Sequence, residues 1–196
     1  MLIGLTGTYC AGKNYVAALL EARGLPVLDV DKLGYAALEA EKEAVFARFG
    51  GDLRKQDGTI DRRLLGQRVF GKRRELADLE AIVHPRANRL TEEWIAAREG
   101  KNCVINAALL HRSSTFPRLD CIILVRAPFL TRLLRARRRD GLRWTSLLKR
   151  FASQKDFGSQ YVAAKAEIYK IENPGLSGSR RLKLEHRINE IVERMC

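Results

Sequence analysis

The sequence has four cysteines in 196 residues, at positions 10, 103, 121 and 196, and no Cys-x-x-Cys pair. A zinc ribbon and a disulfide framework are therefore not expected. Cys103 and Cys121 lie inside apolar runs, where a thiol serves as a small hydrophobe. No apolar stretch is long enough to span a bilayer. Leu2 to Leu5 is too short for the core of a secretory signal, so a cytoplasmic location is expected. Internal repeats and low-complexity segments are absent. Acidic residues are in short supply: 23 Asp and Glu face 36 Lys and Arg, a net charge of +13. Such a field favours polyanions, whether nucleotides, coenzymes with several phosphates or nucleic acid. Aromatics are only 7% of the chain and are not interleaved with its basic stretch, which weakens the nucleic-acid reading. The length suits one domain with a small appendage.

What is present is organised around Gly7-Thr8-Tyr9-Cys10-Ala11-Gly12-Lys13-Asn14, which follows the apolar Leu2-Ile3-Gly4-Leu5. Gly7 and Gly12 allow the backbone to turn its N–H groups inward, and the helix that follows offers its N-terminal donors to phosphate. Val16, Leu19 and Leu20 give that helix an apolar face, closed by Arg23 and Gly24. Strand, loop and helix thus occur in the order that a P-loop, GxxxxGK[ST], demands. Asn14 stands where the hydroxyl that ligates Mg²⁺ is usual. Cys10, at a helix N-terminus beside Lys13, is either a thiol of lowered pKa or a tolerated loop residue.

Pro26 to Asp31 is expected to be a short strand with carboxylates at the sheet edge where ligands sit. Asp29 and Asp31 would share a face there, although Asp31 could equally cap a helix over Leu33 to Ala44. Residues 41–100 carry helical patterns only. Asp57-Gly58 marks a turn, Asp61 caps a helix with Leu64, Leu65, Val69 and Phe70, and His84-Pro85 begins another. Cys103 to Ile105 and Cys121 to Val125 are runs suited to buried parallel strands, Ile168 to Ile171 is a weaker fifth, and a last helix puts Leu184, Ile188, Ile191, Val192 and Met195 on one stripe. The basic stretch Arg126 to Arg150 should bury Leu130, Leu133 and Leu134 and leave arginines such as Arg135 facing solvent.

These residues carry a likeness. LIGLTGTYCAGKN, GLPVLDVDKLG, DGTIDRRLLGQRVF with LEAIVHP, RRRDGL, Arg150 to Gln154 and Ile171-Glu172-Asn173 together resemble the dephospho-CoA kinase family over nearly the whole chain. The resemblance implies an α/β P-loop kinase fold: a five-stranded parallel sheet flanked by helices, built from about 1–40, 101–127 and 165–196. It further implies a helical acceptor-side insertion over about 41–100 and a helical lid over about 128–160.

The implied reaction is phosphorylation of the ribose 3′-hydroxyl of dephospho-CoA by ATP with Mg²⁺. Asp31 would be the base, and Lys13 with the loop Thr8, Tyr9, Cys10, Ala11, Gly12, Asn14 and Tyr15 would hold the nucleotide. Arg139 would neutralise charge in transfer, Arg150 and Asn173 would lie on the nucleotide side, and His84 would lie on the acceptor side. The metal would meet Asn14 weakly, through ATP and water. Two segments depart from the family pattern: Asn14-Tyr15 replaces Ser-Thr, and Ala108-Leu109-Leu110-His111-Arg112 replaces Pro-Leu-Leu-x-Glu, with arginine in place of glutamate. A catalytically impaired relative that binds nucleotide or CoA, and a nucleic-acid-binding protein using residues 126–150, are the alternatives.

Overall fold

Five strands form one parallel sheet: β1 Leu2–Gly7, β2 Val27–Asp29, β3 Cys103–Asn106, β4 Cys121–Arg126 and β5 Glu167–Glu172, in the order β2-β3-β1-β4-β5. The computed structural model describes residues 1–152, 157, 159–161, 166–175 and 178–195. Gln154, Cys196 and the side chain of Met195 lie outside those described. β1 runs between β3, with Leu2 opposite Cys103, and β4, with Ile3 opposite Cys121. The chain leaves β1 toward β2 on one side and later continues from β4 to β5 on the other. The carboxyl end of β1 is therefore the switch point at which open α/β sheets bind ligands.

Continuous burial of β1, β3 and β4 explains their unbroken apolar runs. β5 is an edge strand in which Ile171 alone is buried, which is why its pattern is faint. The two buried thiols behave as hydrophobes, and burial pushes Cys121 up to about 11. Helices α1 Lys13–Glu21 and α8 Gly178–Met195 cover the sheet, bringing Val16 and Leu20, and Leu184, Ile188 and Ile191, onto Ile3, Leu5, Val104 and Ile123. Gly7 permits the close approach of β1 to β4: a Cβ there would stand 2.7 Å from the Val125 carbonyl oxygen.

The chain forms two compact units, residues 1–28 with 98–196, and residues 29–97. The second is helical, with α2 Val30–Ala40, α3 Lys42–Phe49, α4 Arg62–Val69 and α5 Arg73–Ala96 around Leu38, Val45, Phe46, Phe49, Leu53, Ile60, Leu65 and Val69. The Asp57-Gly58 turn is as expected: Gly58 has φ 75°, and Lys55 N donates to Thr59 O at 2.9 Å. An isolated antiparallel bridge joins Arg54 to Ile60 around it. Asp61 caps α4, accepting from Leu64 N at 2.9 Å. Asp61→Ala should cost about 1 kcal/mol, read as a lower midpoint in urea unfolding.

Four expectations need correction. The strand after α1 ends at Asp29, and Asp31 is already helical, so the two carboxylates do not share a strand face. The expected helix over Leu33 to Ala44 is two helices that break at Glu41. Pro85 does not begin a helix but lies inside α5. A mid-helix proline leaves the carbonyl of the residue four positions earlier without its partner, at about 3 kcal/mol. Leu79, Ile82 and Val83 just before it pack on the unit's core and hold the helix through. Phe70 follows α4 and is 75% exposed, because the helix stops one residue short of it.

Candidate active site

The loop between β1 and α1 has the conformation that its sequence requires. Gly12 sits at φ 92° and precedes the helix without a side-chain cap; a Cβ there would also collide with Asn173 Nδ2. Cys10 has φ 59°, the left-handed region that costs a non-glycine residue free energy, and Ala11 N turns back to Thr8 O at 2.9 Å. Thr8 N donates to Val125 O at 3.2 Å, fixing the start of the loop to β4. Lys13 and Asn14 open α1, in the first turn, where N–H groups lack intrahelical acceptors. Tyr15 N is bonded to Gly12 O at 3.0 Å, and the Tyr15 ring packs against the sheet core.

The loop's carbonyls are held from outside. Asn173, at the end of β5 and 2% exposed, donates through Nδ2 to Ala11 O at 2.8 Å. Arg135 Nη1 donates to Ala11 O at 3.1 Å and to Cys10 O at 3.5 Å, while its Nη2 meets Asn173 Oδ1 at 3.2 Å. The carbonyls of Cys10 and Ala11 are thus braced by Arg135 and Asn173. Arg135 was expected to face solvent, and this expectation is overturned. Helix α6 Phe129–Asp140 turns Arg132, Arg135 and Ala136 inward and leaves Leu130 and Leu134 69% and 55% exposed, so of the expected apolar stripe only Leu133 is partly covered. The reason is that the guanidinium groups find partners there: loop carbonyls for Arg135, and the Phe151 ring, 5.0 Å away, for Arg132. Burial lowers the pKa of both.

A second cluster joins the tip of the loop to α6 and α7 Trp144–Ala152. Tyr9 Oη donates to Asp140 Oδ2, Arg139 lies over the Tyr9 ring at 5.2 Å and donates to Asp140 Oδ1 at 2.7 Å, and Phe151 meets Tyr9 edge-on at 5.3 Å. Arg150 lies 3.5 Å from Asp140. The Arg139 hydrogen bond, followed by that of Tyr9, holds the Asp140 carboxyl below its usual range, and the same pair raises Arg139. Burial raises Tyr9, with Asp140 adding to it. Cys10 is likewise pushed up by burial, against the pull of Arg139, so its thiol is not the activated one that a helix N-terminus beside a lysine suggested.

The lowered Asp140 gives a pH prediction. A depressed carboxyl contributes stability above its unfolded pKa of about 3.9 and loses it as pH falls through the lower folded value. Wild type should therefore melt above Asp140→Asn at pH 7, and the gap should close as pH falls through the lowered folded value. A constant gap across that range would contradict the cluster.

On the other side of the loop, Asn106 ends β3 opposite Leu5 and is 2% exposed. Its Nδ2 donates to Asn14 Oδ1 at 3.3 Å, and its own Oδ1 has no partner among the described residues. Nothing in the sequence singled it out. Beyond it, His111 Nδ1 lies 3.3 Å from the buried Tyr161 Oη, which also meets Thr6 Oγ1 at 3.3 Å. Burial, then Arg112, lowers the His111 pKa. Arg112 itself is exposed, ending a short 3₁₀ turn at Leu110–Arg112.

Asp31 and His84 belong to the helical unit. Asp29 is the N-cap of α2, its carboxylate accepting from Lys32 N at 3.2 Å, and Asp31 lies exposed in the first turn. The capping role considered for Asp31 is thus filled by Asp29. His84 is exposed on α5.

A sequence model of dephospho-CoA kinase matches residues 1–174. The chain belongs to the dephospho-CoA kinase family. Among its relatives, dephospho-CoA kinase of Treponema pallidum is 32% identical over 194 residues, covering 94% of this chain and 92% of the relative. The enzyme of that name from Anaeromyxobacter dehalogenans is 37% identical over 180 residues, with 89% and 84% covered. A solved Thermus thermophilus structure superposes with a TM-score of 0.82 at 32% identity, over 100% of this chain and 97% of the other. The parallel sheet with its loop at the β1 switch point is the P-loop kinase fold of the family.

Proposed function

We propose that the chain transfers the γ-phosphoryl group of ATP to the ribose 3′-hydroxyl of dephospho-CoA, giving coenzyme A and ADP in the cytoplasm. The observation that carries this is the braced loop at the end of β1, with Lys13 at the start of α1, in a chain of this family. Lys13 and the loop N–H groups bind the phosphates. Arg135 and Asn173 keep the loop's carbonyls turned away from them. Arg139 and Arg150 on α6 and α7, the lid, meet the charge that develops on the transferring group. Asp31 accepts the proton as the 3′-oxygen forms its bond to phosphorus, the bond from phosphorus to the β–γ bridging oxygen breaks, and ADP leaves. His84 and the helical unit serve the acceptor. Catalysis of this kind is mostly positioning and electrostatics.

Mg²⁺, bound with ATP, would neutralise part of the phosphates' charge, with Asn14 and Asn106 as the residues that would face it. Asn14 Oδ1 and the unpartnered Asn106 Oδ1 fit a hard cation by chemistry, as oxygen donors, but both are neutral. Asn14→Ser should accordingly sharpen the Mg²⁺ dependence and raise turnover; lower turnover with unchanged Mg²⁺ dependence would mean that the loop has adapted to asparagine.

The arginines of the basic stretch support a small anionic ligand over nucleic acid, since Arg135, Arg137 and Arg139 are engaged with neighbouring carbonyls and Asp140. Asn14 and Arg112 favour, as the second reading, an impaired relative that binds without turnover. A coupled assay of ADP release separates the two: release that depends on dephospho-CoA supports the kinase, and ATP binding without release supports the second reading.

A further inference from the structure

We propose that Asn106 is the second metal-facing residue of this site and that the Asn14/Asn106 amide pair makes ATP binding by this chain nearly independent of Mg²⁺. The proposal rests on the ATP-binding reading above. In P-loop NTPases the metal is held from the protein side by the loop's Ser or Thr hydroxyl and by the carboxylate of a second segment. Here the residue after Lys13 is Asn14, and the group that meets it from the end of the neighbouring strand is Asn106, 3.3 Å away.

Three observations point to a ligand for this pair. Asn106 is 2% exposed, yet its Oδ1 has no partner among the described residues, and a buried carbonyl oxygen left unpaired is costly. The bond between the two amides is at the long end of the hydrogen-bond range, so a cation or its water can readily displace it. Asn14 is exposed, which opens the pair to the loop's surface.

The pair offers oxygen but no charge. Among the described residues no group of three or more His, Cys, Asp or Glu could hold a metal ion. Mg²⁺ arriving with ATP cancels part of the triphosphate's charge and so weakens its attraction to Lys13, the lid arginines and a chain of net charge +13. Two amide oxygens offset that loss but, being neutral, do not exceed it by much. Coupling is reciprocal: the factor by which the metal changes ATP affinity is the factor by which ATP-bound protein holds the metal better than free ATP does. That factor should lie near one. A carboxylate at either position would change it, by repelling bare triphosphate and attracting the metal complex.

The test is calorimetric titration of the whole chain with ATP in EDTA and in excess Mg²⁺, without acceptor. In wild type the two dissociation constants should agree within about threefold, and in Asn106→Asp Mg²⁺ should improve binding at least about tenfold, mostly through weaker metal-free binding. Because a buried carboxylate can compromise folding, Asn14→Asp is the second variant. It lies exposed in a helix's first turn, where negative charge is favoured, and it should shift the ratio in the same direction. A wild type that gains tenfold or more from Mg²⁺, or a folded variant of either kind that keeps the wild-type ratio, would overturn the proposal and leave the kinase reading standing. No ATP binding in either buffer would overturn both.

Discussion

Asp31→Asn should leave ATP affinity unchanged and lower turnover by roughly 10²–10⁴-fold, the usual share of general-base catalysis. The separation of binding from chemistry is the informative part. Asp31 is exposed in the first turn of α2, and the cap of that helix is Asp29. The charge of Asp31 near the helix N-terminus is favourable by about 0.3–1 kcal/mol. A loss of that size does not unfold a domain, so a large fall in turnover with an unchanged melting temperature assigns the carboxylate to chemistry. Asp29→Ala is the complementary variant: it removes the cap and should cost about 1 kcal/mol of stability. Turnover unchanged in Asp31→Asn would remove it from the mechanism.

Arg135→Ala should weaken ATP binding about tenfold or more, because hydrogen bonds to a charged group contribute about 1.5–3 kcal/mol and three contacts disappear together. Ala11 O would keep Asn173, but Cys10 O would lose the cation that holds it outward. The strained Cys10 backbone, at φ 59°, would then be free to relax and to turn its N–H away from the phosphate. Arg135→Lys should recover part of the affinity, since a point charge cannot engage two carbonyls and an amide as the guanidinium fork does. Arg139→Ala should behave differently, lowering turnover while sparing ATP affinity, because Arg139 contacts Asp140 and the Tyr9 ring rather than the loop backbone. Fluorescence titration with a nucleotide analogue reads both. An Arg135→Ala variant as mild as Arg138→Ala, whose residue is exposed, would show that the basic stretch acts as a diffuse field.

Much of this was legible in the residues. Unbroken apolar runs gave β1, β3 and β4 because both faces of those strands are buried, and Gly12 announced a left-handed turn that the structure adopts, whereas Gly7 ends β1 and is needed for its missing Cβ rather than for a turn. Asp61 and Asp57-Gly58 carry their chemistry locally, so their cap and turn could be read without a fold.

What escaped reading was set by tertiary partners. Leucine periodicity pointed to the wrong face of α6, since arginine buries readily when carbonyls and aromatic rings await it, and no local pattern reveals that Ala11 O is waiting. Asn106 lies just past the apolar run Cys103 to Ile105 and drew no reading, because the residue it meets, Asn14, is 92 residues away in sequence. Pro85 seemed to open a helix because the packing that carries α5 past it comes from other helices.

The central claim is tested most directly by ³¹P NMR of a reaction containing the chain, ATP, Mg²⁺ and dephospho-CoA. The account predicts a new 3′-phosphomonoester resonance that grows in step with ADP and is abolished, on the same timescale, by Asp31→Asn. ADP formed without that resonance, or ATP bound and left intact, would contradict it.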